Sequence, residues 1–154
     1  MFKFTPTHSH DAPRAILCLG AHSDDIEIGC GGALLRLTQN YPDLTVYWVV
    51  LSASAERATE AEASAAAFLQ HAGRAEVRIN QFQDGFFPYI GGEIKGYFER
   101  LKQEINPDWI FTHCGHDRHQ DHRVVTELTW NTFRDHMILE YEIPKYDGDL
   151  QAPN

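Results

Sequence analysis

The sequence predicts an α/β protein: a Rossmann-like three-layer sandwich on a mainly parallel, five-stranded sheet of order 3-2-1-4-5, with helices on both faces. Five apolar segments begin about 30 residues apart, which is the length of one βαβ unit. As a set these segments are continuous instead of alternating, as expected for parallel strands buried on both faces. The predicted strands cover residues 15–21, 44–52, 76–82, 108–113 and 137–143.

The segments between these strands have helical patterns. Apolar residues from Ile94 to Ile105 follow the i, i+3, i+4, i+7 spacing of an amphipathic helix, which Pro107 ends. Three more helices are predicted over residues 25–39, 58–71 and 122–133. Alternating strands and helices imply a parallel sheet with right-handed crossovers. In the order 3-2-1-4-5 the first and fourth strands are neighbours at a topological switch point, where ligands bind beyond the carboxyl ends of the strands.

Length and composition indicate a single domain, expected over residues 14–154 after a polar lead-in over residues 1–13. The 13 Lys and Arg against 22 Asp and Glu give a net charge of −9, which argues against a nucleic-acid or anionic-membrane surface. Cys18, Cys30 and Cys114 form no CxxC pair, so neither a disulfide framework nor a Cys₄ zinc site is expected. With no signal-like start and no apolar segment of membrane-spanning length, the sequence predicts a cytoplasmic protein.

A cluster of His and Asp residues, His22-Ser23-Asp24-Asp25, follows the first predicted strand directly. His22 and Asp25 share one face if a helix begins there, and their nitrogen and oxygen donors suit zinc. With a third ligand from elsewhere, a fourth position stays open for an activated water, and Asp24 is placed to take its proton. The alternative is a helix cap, because Asp and Ser are common at helix N-termini.

A second cluster follows the fourth strand, about 90 residues later but at the same predicted edge of the sheet. Its histidines recur every three residues, so spacing alone does not choose a metal ligand among His113, His116, His119 and His122. The aspartates of this cluster, Asp117 and Asp121, either orient a histidine from behind or are solvated. The alternative interpretation is an exposed histidine row or a capping loop.

Three other segments lie near the same edge. The glycines of residues 26–32 come too late after the strand for a dinucleotide-binding turn; they predict close helix packing or a narrow pocket wall, with Cys30 in the core. Arg57 is a candidate for binding a substrate hydroxyl or phosphate, or a solvated residue at a helix start. Asp84 and Phe86 follow the third strand, where they either bind a sugar or pack the loop.

The segments AHSDDIEIGCGG and HDRHQDHR, in this order and separation, resemble the LmbE-like, or PIG-L, N-acetylglucosaminyl deacetylase family. The resemblance extends from Ala15 to about Asp147. It implies a zinc-dependent enzyme of Rossmann-like fold that removes an acetyl group from N-acetylglucosamine-type substrates. It also implies one zinc ion per chain, with His22, Asp25 and His122 as its ligands.

The same resemblance implies catalytic roles. Asp24 is the general base. His119 stabilises the tetrahedral intermediate and protonates the leaving amine, and Asp121 orients His119 or supports the site. His113 and His116 are then left with rim or structural roles.

The chain departs from the family pattern in two places. Ser23 stands where the family usually has proline, which we expect to loosen the turn that carries Asp24 and Asp25 without abolishing the site. Family members are usually longer, and their C-terminal part helps to build the substrate rim. We therefore expect a domain without that extension, its rim either incomplete or completed by a second subunit of a homo-oligomer.

The sequence thus predicts a Zn²⁺-dependent hydrolase that deacetylates a small-molecule N-acetyl amino sugar or its conjugate, without a nucleic-acid partner. Iron can occupy similar His/Asp sites, so another divalent metal stays open. The alternatives are a metal hydrolase acting on another N-acyl compound, a non-catalytic metal- and sugar-binding protein with an incomplete pocket, and a nucleotide-binding Rossmann domain.

Overall fold

The computed structural model describes residues 12–144, which form one five-stranded sheet between two layers of helices. The strands are β1 (Ala15–Gly20), β2 (Thr45–Val50), β3 (Arg74–Ile79), β4 (Trp109–His113) and β5 (Met137–Tyr141). The helices are α1 (Asp25–Asn40), α2 (Ala55–Phe68), α3 (Gly91–Glu104) and α4 (Gln120–Thr132), with a 3-10 turn at Phe87–Tyr89. All strand pairs are parallel and the order is β3-β2-β1-β4-β5, so the predicted fold class is confirmed.

Side chains of the central strand alternate between the two faces of the sheet, and both faces are buried. Cys18 of β1 packs in one apolar layer with residues of α1 and α2, such as Leu34. Leu19 packs in the other layer with residues of α3 and α4, such as Phe98. The continuous apolar composition of the strand therefore reflects burial on both sides. Within residues 12–144, no helix is long and apolar enough to cross a membrane.

Three elements begin earlier than their composition predicts, among them α4, which begins at Gln120 instead of residue 122. β3 begins at Arg74 instead of residue 76, because an edge strand pairs on one side only and tolerates exposed polar residues at its start. α2 begins at Ala55 instead of residue 58, because the Ser54 hydroxyl caps it by accepting a hydrogen bond from the Arg57 backbone amide. Most of the predicted lead-in, and everything predicted beyond residue 144, lies outside the described residues.

The glycines of α1 allow its close approach to neighbouring aromatic rings. A Cβ added at Gly29 would lie 2.1 Å from the Tyr141 ring, and one at Gly31 would lie 2.5 Å from the Phe68 ring. These contacts confirm that the glycine-rich segment serves close helix packing. Cys30, between the two glycines, is buried in the core as predicted.

Gly29→Ala should lower the free energy of unfolding by about 1–3 kcal/mol, because the added methyl group overlaps the Tyr141 ring. Gly32→Ala is the matched control, since its Cβ would meet no atom within 4 Å and alanine is favoured over glycine in a helix by about 1 kcal/mol. Urea unfolding of both variants measures the difference. Equal stability of the two variants would contradict this packing.

Candidate active site

The two His/Asp clusters meet at the carboxyl edge of the sheet, where β1 and β4 are neighbours. His22 and Asp25 come from the β1–α1 junction, and His122 comes from the first turn of α4. His122 Nε2 lies 3.2 Å from His22 Nδ1 and 3.5 Å from Asp25 Oδ1. His22 Nδ1 lies 3.5 Å from Asp25 Oδ2. The structure therefore brings together nitrogen and oxygen atoms able to bind a metal ion, although their residues lie about 100 positions apart in the sequence.

The ring of His22 is held by carboxylates on its outer side. Its Nε2 lies 3.0 Å from Asp84 Oδ1 and 3.3 Å from Asp121 Oδ2, so Nδ1 is left to face Asp25 and His122. Burial acts to lower the pKa of His22, but Asp25, Asp84 and Asp121 outweigh it and raise this pKa from 6.5 to about 9. The pocket around His22 is thus strongly favourable for a positive charge.

His122 is oriented in the same way by a different carboxylate. Its Nδ1 lies 3.0 Å from Asp117 Oδ2, and both side chains are buried. The other oxygen of Asp117 accepts a hydrogen bond of 2.7 Å from the His119 backbone amide. Asp117 therefore fixes the loop before α4 and leaves Nε2 of His122 free to face His22.

Asp25 is a buried carboxylate at the centre of the cluster. Burial acts to raise its pKa, but contacts with His113, His22 and His122 hold the pKa well below its usual value of 3.8. One oxygen also accepts a hydrogen bond of 2.7 Å from the His22 backbone amide. Asp25 is thus kept ionised and fixed in place.

His113 lies inside the site, as the last residue of β4, and is fully buried. Its Nε2 accepts a hydrogen bond of 3.1 Å from the Ala21 backbone amide and lies 3.2 Å from Asp25 Oδ2. Its ring stacks on the His122 ring with centroids 3.9 Å apart. Burial lowers the pKa of His113 to about 4. Sequence spacing could not show whether His113 is a neutral supporting residue or a residue of the cavity rim. Its position at the end of a buried strand was the one sequence feature that indicated burial.

His119 occupies the N-cap position of α4 and also reaches the site. Its Nδ1 accepts a hydrogen bond of 3.2 Å from the Asp121 backbone amide, which leaves Nε2 as the nitrogen that can donate. Its ring centroid lies 4.8 Å from that of His22. Partial burial, with the neighbouring His122 and His22, lowers the pKa of His119. His119 therefore both caps α4 and contributes its ring to the site.

The buried carboxylate of Asp121 supports the site; within the described contacts it does not touch the His119 ring. Its two oxygens accept hydrogen bonds from the backbone amides of Gly85 (2.7 Å) and Phe87 (3.1 Å). It thereby fastens the loop after β3 beneath His22. The carboxylate of Asp121 thus fits the supporting role, whereas its contact with the His119 ring is made by the backbone amide.

Asp24 and Arg57 lie at the mouth of a cavity of about 430 Å³, which polar residues mainly line. Asp24 stands at the N-cap position of α1 but makes no capping bond; instead its Oδ2 accepts a hydrogen bond of 3.0 Å from Arg57 Nη2. Both side chains are about half exposed. The cavity is lined by His22, Ser23, Asp24, Ser52, Ala53, Ser54, Arg57, Asp84 and His119. A helix-cap role therefore does not account for Asp24.

Two residues singled out in the sequence lie away from this cavity wall. Phe86 is not among the lining residues, and its ring packs against that of Tyr89 with centroids 5.9 Å apart. His116 is exposed and lines a different cavity with Trp130 and Glu140. The structure therefore brings Arg57 and Asp84 to the wall but not Phe86, whose contact with substrate stays a prediction.

The fold and these side chains define an α/β protein with a buried His/Asp site at the switch point of its sheet. The family model described as GlcNAc-PI de-N-acetylase, or PIG-L, matches residues 17–133. The chain belongs to the PIG-L family, as its two motifs predicted.

Individual relatives agree with this assignment. The "Uncharacterized deacetylase YaiS" of Escherichia coli K12 is 30% identical over 138 residues, which cover 85% of this chain and 75% of that protein. The N,N'-diacetylchitobiose deacetylase of Pyrococcus horikoshii superposes with a TM-score of 0.64 at 18% identity, over 90% of this chain and 64% of that chain. The present chain thus spans less than two thirds of that structural relative.

The same fold also occurs in a protein of different activity. GalB, the 4-carboxy-2-hydroxymuconate hydratase of Pseudomonas putida KT2440, superposes with a TM-score of 0.62 at 18% identity, over 87% of this chain and 68% of that chain. At such identities the two superpositions show a shared fold alone. The reaction has to be argued from the residues of the site.

Asp121→Ala should lower the free energy of unfolding by about 1–3 kcal/mol, because the backbone amides of Gly85 (partly buried) and Phe87 (buried) lose their acceptor. Limited proteolysis should then cut the loop after β3 faster. Asp135→Ala, at an exposed position, is the control and should change stability by less than about 0.5 kcal/mol. An Asp121→Ala variant as stable as this control would contradict the anchoring role.

Proposed function

We propose that this protein is a metal-dependent N-deacetylase that hydrolyses the acetyl amide of an N-acetylated amino sugar or its conjugate. The observation that carries the proposal is a pair of histidine rings, His22 and His122, each of which has one nitrogen in contact with a carboxylate and the other nitrogen facing the other ring. Asp121 and Asp84 occupy one nitrogen of His22, Asp117 occupies one nitrogen of His122, and the two remaining nitrogens meet 3.2 Å apart beside Asp25. Carboxylates behind metal-binding histidines fix the ring orientation in this way.

The donor set fits a zinc ion in spacing and in chemistry. Donor atoms bound to one tetrahedral zinc at about 2.0–2.1 Å lie roughly 3.3 Å from each other. His22 Nδ1 and His122 Nε2 lie 3.2 Å apart, and each lies 3.5 Å from a different oxygen of Asp25, Oδ2 for His22 and Oδ1 for His122. Two imidazole nitrogens and one carboxylate oxygen form a ligand set of catalytic zinc sites. These residues would hold the ion, and zinc itself is part of the proposal.

Asp24 is the proposed general base. A bound zinc ion would act as a Lewis acid and would lower the pKa of the attacking water to about 7. Asp24 adjoins Asp25 in sequence but lines the open cavity, where its carboxylate can take the proton of the attacking water. When the C–N bond breaks, Asp24 passes this proton to the leaving amine, and acetate and a free amine are the products.

His119 is the proposed donor to the oxyanion. Because its Nδ1 accepts from the Asp121 backbone amide, the neutral ring carries its proton on Nε2 and can donate it in a hydrogen bond. The lowered pKa of His119 favours this neutral donor over the amine-protonating acid that the family resemblance implies. The nearby positive charge of a metal would lower this pKa further.

The polar cavity supports an amino-sugar substrate. Its volume of about 430 Å³ falls within the range of small-molecule sites, and Arg57, Asp84 and Ser52 offer hydrogen-bond partners for hydroxyl groups. The names of the matched family and of the chitobiose deacetylase both refer to N-acetylglucosamine compounds. A panel of N-acetylglucosamine, N,N'-diacetylchitobiose and a non-sugar N-acetyl amine separates this proposal from another N-acyl substrate. Cytoplasmic location and homo-oligomer formation stay predictions.

The purified protein should contain about one zinc ion per chain by elemental analysis, and His22→Ala should lose it. Zinc should also raise the thermal midpoint of the metal-free wild type but not that of the variant, because a ligand that binds the folded state stabilises it. His116→Ala is the control, since this exposed histidine of the loop before α4 belongs to none of the described residue groups that could hold a metal ion. A folded wild type that takes up no metal would overturn the hydrolase proposal.

Asp24→Asn should keep its zinc and lose roughly 10²–10⁴-fold in kcat on N-acetylglucosamine, because the amide does not accept the proton of water. Acetate release by a coupled assay measures the rate. Glu56→Gln, an exposed carboxylate in the first turn of α2, should leave the rate unchanged. If Asp24→Asn is as active as the wild type, the base is another residue.

A further inference from the structure

Ser23 lies inside the metal-binding motif but contributes nothing to the steps above. Its side chain is buried, with 7% of the residue exposed. The hydroxyl oxygen accepts a hydrogen bond of 3.0 Å from Nε of Arg57, which lies 34 residues later in the first turn of α2. The contact therefore joins the β1–α1 turn to a different helix across the mouth of the cavity.

Two neighbouring residues, Ser23 and Asp24, bind one edge of the Arg57 guanidinium group. Ser23 binds Nε, and Asp24 binds Nη2 at 3.0 Å. Nε and Nη2 form one edge of the rigid guanidinium fork, so the two contacts fix its plane as well as its position. The third described contact, Nη1 to Glu60 at 3.2 Å, is an exposed pair on Arg57's own helix and fixes little.

We infer that Ser23 is a positioning residue that acts on the substrate through Arg57, an inference that rests on the proposed function. Arg57 has five N–H donors, and the three described hydrogen bonds leave two for oxygen atoms of a ligand in the cavity. A guanidinium held in one orientation loses less conformational entropy when it binds a sugar hydroxyl or the acetyl carbonyl. The serine thus prepares the cavity for an oxygen-rich ligand.

Removal of the hydroxyl has a defined consequence for Arg57. Without Ser23 Oγ, the Nε donor loses its only described acceptor, and the half-exposed side chain is free to turn towards Glu60 and water. Proline, the usual residue of the family at this position, has no hydroxyl and cannot accept this bond. Ser23→Pro should therefore behave like Ser23→Ala, although it restores the common motif.

The kinetic test uses the zinc-loaded protein with N-acetylglucosamine. Ser23→Ala and Ser23→Pro should raise KM roughly 3- to 10-fold, the size of effect expected for one ordinary hydrogen bond, with kcat changed less than about 2-fold. Ser23→Thr keeps the hydroxyl and should restore KM to within about 2-fold of the wild type. Ser64→Ala, in α2 away from the cavity lining, is the control and should leave KM unchanged. An unchanged KM in Ser23→Ala overturns the inference.

A double-mutant cycle distinguishes positioning from a general structural effect. Once Arg57 is alanine, Ser23→Ala should change KM by less than about 2-fold, because the serine has no guanidinium left to hold. Full additivity of the two substitutions overturns the inference. The cycle also decides the matter if the bulkier threonine or proline variant does not fold.

A second readout does not depend on turnover. In a ¹⁵N-labelled wild type, the Arg57 Nε–H group should give a protected NMR signal, which is assigned by its loss in Arg57→Lys. The signal should shift and exchange with water faster in Ser23→Ala and Ser23→Pro. If these changes occur while no panel substrate is hydrolysed, Ser23 positions Arg57 but the proposed function fails. If the wild type is active and the signal does not respond to Ser23, the inference itself fails.

Discussion

The whole site depends on the parallel pairing of β1 with β4. These strands are almost 100 residues apart in sequence, yet Ile16 pairs with Trp109 and Cys18 with Phe111. Both strands then end at the same edge, β1 running into His22 and β4 into His113. The next elements diverge to opposite faces of the sheet, so a gap opens where they part, as at the switch point of other doubly wound sheets. Every donor atom of the candidate metal site faces this gap.

Three buried carboxylates lie close together in this gap. Asp25, Asp117 and Asp121 are all less than 5% exposed. A buried carboxylate without partners would be costly, and each of these three is compensated by imidazole nitrogens or backbone amides. The compensation fixes ring tautomers and loop positions at the same time. The metal-ligand atoms therefore already converge in the folded chain.

The elements of the fold were predictable because apolar continuity and helical periodicity report burial directly. The convergence of His22 with His122 was predictable because strand order alone places the two clusters at one edge. The supporting contacts were not, since sequence spacing does not give the direction of a side chain. His113 points inward from the end of a strand, and Asp121 bonds backbone amides of a loop 34 to 36 residues before it in sequence. Only the folded coordinates reveal such partners.

The division of roles between adjacent carboxylates links the fold to the proposed chemistry. A hydratase shares this fold, so the sheet and its switch point do not determine the reaction. Asp25 is buried among imidazoles, whereas Asp24, one residue earlier, is half exposed and paired with Arg57 at the cavity mouth. The α1 start produces this difference, because consecutive residues at a helix N-terminus point in directions about 100° apart. One backbone turn therefore supplies a fixed carboxylate suited to hold a metal ion and an accessible carboxylate suited to accept a proton. The proposed hydrolysis needs both environments, one to hold the ion and one to accept the proton of the attacking water.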